Sequence, residues 1–141
     1  MNPEQKAINE RWTKGSANYD RIIHDELASF RVEGWRQLIA SQTGSHPGLK
    51  VLDCGCGPAF FTIILAKAGY HVTGIDAAEG MLQKARANVA EYGADAQIME
   101  MDWLVDNVVG TIPVSDALKH YSRATVDVMG VGPSTKDKAA D

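Results

Sequence analysis

The chain has 141 residues, the length of one domain. A domain near that size hides roughly 70% of its unfolded surface, enough for a real core. A net charge of −4 offers no basic excess to attract a phosphate backbone, so nucleic acid is excluded as a first partner. No apolar run approaches the ~20 residues of a membrane span, and the polar start MNPEQKAINERW lacks the apolar core of a secretion leader; the expected compartment is the cytoplasm.

Taken in chain order, the spacing predicts a helical stretch over residues 9–14, a turn at Gly15-Ser16, and a second helix over 19–41. On that helix Ile23, Leu27, Phe30, Leu38 and Ile39, with Trp35 beside them, form one apolar stripe that reads as core. Residues 43–48, dense in turn formers, make a loop. Residues 50–54 are a short apolar strand running into a glycine turn, and 60–68 a helix closed by Gly69. Residues 71–76 are a second strand ending in an acid, 78–92 a helix stopped by Gly93, and 96–101 a third strand followed at once by Asp102. Further on, Ser115 caps a short helix through Tyr121, residues 125–131 are a fourth strand, and 133–141 are a polar, disordered tail. Alternating strands and helices of these lengths imply crossover connections and a parallel sheet. The expected fold is α/β and Rossmann-like, a parallel sheet sandwiched by helices. The expected domain covers residues 1–132: a helical segment (1–48), a core (49–103) and a divergent end (104–132).

The chemistry gathers at the strand ends. Asp53, Asp76 and Asp102 each sit at or just past the end of a strand, one βα unit apart. In an open parallel sheet ligands bind outside the carboxyl ends of the strands, so the acids should share one crevice. Gly55 and Gly57 permit a tight turn and close backbone approach, and the helix that follows offers N–H groups to a carboxylate or phosphate. A dinucleotide fingerprint G-x-G-x-x-G would need a glycine at Phe60, and Asp53 would repel a nearby pyrophosphate; an oxidoreductase using a nicotinamide dinucleotide is disfavoured. An acid at Asp53 suits a positive group, Asp76 suits ribose hydroxyls, and Asp102 suits an exocyclic amine. Ammonium, ribose and amine in a row describe S-adenosylmethionine. Cys54 and Cys56, one residue apart, are poorly placed for a disulfide and lack the partners of a structural zinc, so they are expected reduced. His24, His46, His71 and His120 show no metal spacing and read as surface or strand residues. No metal is expected.

The run Val51-Leu52-Asp53-Cys54-Gly55-Cys56-Gly57-Pro58-Ala59 resembles the first motif of class I S-adenosylmethionine-dependent methyltransferases. The run from Gly74-Ile75-Asp76 through Met81-Leu82-Gln83-Lys84-Ala85 resembles their second motif, and Met101-Asp102-Trp103 their third. Trp12 and Ala17-Asn18-Tyr19-Asp20 are similar to the N-terminal segment of the small-molecule branch. The resemblance implies that Asp53, Gly55, Cys56 and Gly57 hold the methionine end and Asp76 the ribose. It places Ala77 and Met81 beside the adenosine, gives Asp102 the adenine amine with a backbone N–H from Trp103, and has Tyr19 help close the pocket. It implies methyl transfer to a small molecule; the alternative is a non-catalytic binding module or a shortened remnant. The family usually has glycine at Ala59, where alanine is expected to narrow the pocket edge. Past residue 103 the chain matches the family poorly, which leaves strand four as an exposed edge and suggests a homodimer. No catalytic residue is singled out.

Overall fold

A computed structural model describes residues 3–44 and 48–101. The elements are α1 (Pro3–Leu27), α2 (Arg31–Thr43), β1 (Lys50–Cys54), α3 (Phe60–Lys67), β2 (His71–Asp76), α4 (Glu79–Glu91) and β3 (Ala96–Glu100). The strands pair in parallel in the order β1-β2-β3, with Asp53 opposite Gly74 and Asp76 opposite Glu100. The α/β, Rossmann-like reading of the sequence therefore holds. The proposed helix over residues 115–121, the fourth strand, the polar tail and the sheet edge invoked for a homodimer lie outside the described residues.

The period of two along each strand sorts the core into two faces. Val51 and Val72 join Phe60, Ile64 and Leu65 of α3 and Ile39 of α2 in one cluster. Ile98 packs with Ile63 of α3 and Ala85 of α4 in a second. Leu52, Cys54 and Ile75, the alternate positions, form a third cluster with Met101. Strand β1 is buried on both faces after its first residue, which is why it reads as a continuous apolar run rather than an alternation.

The N-terminal helices differ from expectation. Gly15-Ser16 is no turn; α1 runs through it as one helix of 25 residues. Ser16 is buried there, and its hydroxyl stands 3.0 Å from where a Cβ on Gly80 would lie. The small side chain of Ser16 allows the helix to settle against Gly80 of α4, so packing overrides weak helix propensity. The break comes instead at residues 28–30. Ser29 Oγ donates to the Glu26 carbonyl at 2.7 Å and accepts from the Arg31 amide at 3.2 Å, closing a local turn. Phe30, assigned from the sequence to the apolar stripe, is 88% exposed at that corner.

Helix α1 runs alongside α4 in the same direction. Thr13 reaches Gly80, Asp20 reaches Asn88 and His24 reaches Tyr92, at sequence separations of 67, 68 and 68 residues. The residues of α1 before Thr13 thus extend past the start of α4, on the side where the strands end, by ~15 Å at 1.5 Å per residue. No described helix is long and apolar enough to cross a membrane.

Candidate functional site

The turn after β1 explains its glycine spacing. Gly55, Gly57 and Ala59 all have left-handed backbones, with φ of 71°, 53° and 78°. Glycine adopts that conformation without steric cost, whereas an alanine there is strained by about 1–2 kcal/mol. Ala59 does not narrow a pocket edge, as the sequence suggested. It is fully buried, its methyl packed with Cys56, Ile63 and Ala85.

Each N–H of this turn is already occupied. Those of Gly55 and Cys56 both go to the Ile75 carbonyl, at 2.8 and 2.9 Å. Gly57 N–H goes to Asp76 Oδ2 at 3.0 Å, Pro58 has none, and Ala59 N–H goes to the Cys56 carbonyl at 2.9 Å. The expectation that the next helix offers its opening amides to an anion also changes, because Asp53 takes part of that role. Its Oδ2 accepts from Thr62 Oγ1 at 2.7 Å, and the Thr62 backbone amide bonds it as well. The turn is therefore no cradle for a phosphate. Beside it lies the buried carboxylate of Asp53.

That carboxylate has no positive partner among the described residues. Asp53 is 3% exposed, and burial pushes its pKa from 3.8 up to about 6, against the two Thr62 hydrogen bonds and with a further push from Asp76. Among the described residues no cation acts on it. Burial, reinforced by the Asp53 charge, also holds Cys54 up at about 12 and raises Cys56 further, so both thiols stay protonated and unreactive. The Cys56 side chain packs into the core rather than toward the crevice.

Asp76 ends β2 with both oxygens engaged: Oδ2 takes the Gly57 amide, and Oδ1 takes the Ala78 amide at 2.9 Å, at the start of α4. It is at once a cap for α4 and the tie that fixes the glycine turn, and it remains half-buried at the crevice. Ala77, beside it, is likewise half-buried. Met81 is buried with its Sδ 3.9 Å from where a Cβ on Gly57 would lie, so it lines the turn from α4. Asp53, Gly55, Gly57, Asp76, Ala77 and Met81 are thus gathered at one end of the sheet. Tyr19 stands apart on α1, 41% exposed, its ring 5.5 Å from Trp12. Asp102 and Trp103 lie outside the described residues.

A profile of the family described as "Methyltransferase domain" matches residues 51–129, more than half of the chain. The chain belongs to the methyltransferase-domain family. A ubiquinone biosynthesis O-methyltransferase of Bordetella avium is 43% identical over 91 residues, covering 64% of this chain and 35% of that protein. A magnesium-protoporphyrin O-methyltransferase of Synechocystis is 34% identical over 132 residues, covering 85% of this chain and 55% of that one. A solved structure of a candidate S-adenosyl-L-methionine-dependent methyltransferase from Methanococcus maripaludis superposes with a TM-score of 0.53 at 25% identity, over 64% of this chain and 42% of that one. The first curated relatives are spanned for only 32% and 38% of their length.

Two residues that matter here are not in the sequence-based set. Thr62, the partner of Asp53, is the one hydroxyl in the apolar run Phe60–Lys67, a signal that it faces something polar. Asn88 shares the buried face of α4 with Met81 and Ala85 at helical spacing, and a buried amide needs partners. His24, read from the sequence as a surface residue, is one of them, with Nε2 3.0 Å from Asn88 Oδ1.

Proposed function

We propose that the crevice at the strand ends binds S-adenosylmethionine and that the chain serves methyl transfer to a small molecule. The observation that carries this reading is the glycine turn with all its amides consumed, set beside a buried acid that has no cation among the described residues. Such a turn suits the ammonium of a methionine moiety and repels a pyrophosphate. In this reading Asp53 and the backbone of Gly55, Cys56 and Gly57 take the methionine end. Asp76, held rigid by two amides, directs its remaining lone pairs to the ribose hydroxyls. Ala77 and Met81 flank the adenosine, Asp102 and the Trp103 amide take the adenine, and Tyr19 closes over it from α1.

Transfer forms a bond from the acceptor to the methyl carbon and breaks the sulfur–carbon bond. The electron pair stays on sulfur as a neutral thioether, and the acceptor's proton leaves to solvent. Such a step needs alignment more than a dedicated base, which agrees with a crevice rich in positioning groups. The Bordetella and Synechocystis relatives are named as O-methyltransferases, which favours an oxygen acceptor here.

The test is calorimetry in buffers of different ionisation enthalpy. An ammonium placed beside Asp53 lowers its pKa, so binding at pH 6 releases up to about half a proton per site and binding at pH 8 releases none. Binding with no proton release at pH 6 contradicts the placement of the ammonium. Formation of S-adenosylhomocysteine with phenolic or carboxylate acceptors then establishes turnover; binding without it assigns the chain to a binding module.

A further inference from the structure

Asn88 lies on α4, outside the crevice, yet it reaches the glycine turn. It is 3% exposed, and its Nδ2 donates to Asp20 Oδ1 at 2.7 Å and to the Pro58 carbonyl at 2.9 Å. Two oxygen acceptors on one atom fix the amide's orientation. Its Oδ1 therefore accepts from His24 Nε2 at 3.0 Å, and His24 Nδ1 lies 3.0 Å from the Tyr92 hydroxyl. One side chain thus joins α1, α4 and the turn after β1.

We propose that Asn88 is a positioning residue for the cofactor, tying the Gly57-Pro58 segment to α1 so that affinity depends on this one amide. The inference rests on reading the crevice as an S-adenosylmethionine site. The segment is held at the Gly57 amide by Asp76 and at the Pro58 carbonyl by Asn88. The next residue, Ala59, has a left-handed backbone that persists only while its surroundings enforce it. Without Asn88, the peptide between Pro58 and Ala59 keeps only the Ala59 N–H bond to the Cys56 carbonyl, and the strained turn can relax away from Asp76. Asp20, on α1, orients the same amide, so α1 acts on the turn through it.

The experiment measures the dissociation constant of S-adenosylhomocysteine by calorimetry on the full chain, well below each variant's melting temperature, with folding checked by circular dichroism. Asn88→Ala should weaken binding roughly tenfold and Asp20→Ala roughly threefold, the scale of one buried hydrogen bond. Thr13→Val is the control. It removes the hydroxyl that accepts the Gly80 amide at 3.2 Å between the same two helices but does not touch the turn. It should lower the melting temperature and leave the constant within about twofold. Wild-type affinity in Asn88→Ala or Asp20→Ala overturns the proposal, as does a Thr13→Val loss equal to that of Asn88→Ala. If Asn88→Ala does not fold, Asp20→Ala decides alone. A wild-type chain that binds no S-adenosylhomocysteine removes the underlying site and this inference with it.

Discussion

At the scale of residues, Asp53 carries the clearest tension between stability and function. Its folded pKa of about 6 lies above the ordinary 3.8, so the folded state binds a proton more tightly than the unfolded chain. The stability this group contributes is full below about pH 4 and is lost as pH rises through about 6. The difference, ~2 pK units, is worth about 3 kcal/mol. Asn cannot ionise, so the stability of Asp53→Asn relative to wild type should rise by up to that amount between pH 4 and 7, measured by urea denaturation at each pH. A flat difference would show that Asp53 is not strained by burial. Thr62→Val removes a hydroxyl bonded to the charged form. It should destabilise by roughly 1.5–3 kcal/mol at pH 7 and by less at pH 4, where Asp53 is neutral in either chain.

At the scale of elements, the junction of α1 with α4 turns on Gly80. A Cβ there would lie 2.8 Å from Thr13 Cγ2 and 2.9 Å from the Thr13 carbonyl oxygen, a backbone atom that cannot swing aside. Gly80→Ala should lift α1, at a net cost of about 1–2 kcal/mol once the better helix propensity of alanine is counted. Chemical denaturation reads the loss, and faster proteolytic cleavage within α1 locates it; an unchanged or raised stability would show that α1 does not rest on this glycine. The strands and the helices between them were legible in the sequence to within a residue or two, because glycines at 69 and 93 and the short apolar runs mark their ends locally. The helix break was not. Gly15-Ser16 looks like a turn in isolation, and only the contact of Thr13 and Ser16 with Gly80, far along the chain, holds the helix straight through it. Likewise Asp53, Gly57 and Asp76 could be named from spacing, but the pairing of Asp53 with Thr62 and of Pro58 with Asn88 depends on how α3 and α4 lie on the sheet.

At the scale of the whole molecule, the parallel sheet β1-β2-β3 brings Asp53 and Asp76 to one end, where the glycine turn joins them. Helix α1 runs beside α4 toward the opposite end and extends past the strand ends with its other terminus, bearing Trp12. We read this end of the sheet as a site for S-adenosylmethionine. Thermal denaturation across a concentration series of S-adenosylhomocysteine tests it most directly. A ligand at ~100 times its dissociation constant adds about 2.7 kcal/mol to the stability of a chain that binds it only when folded. The wild type should show a saturable rise in melting temperature, abolished in Asp76→Ala. A folded wild-type chain whose melting temperature does not move, or an Asp76→Ala variant that responds equally, would contradict it.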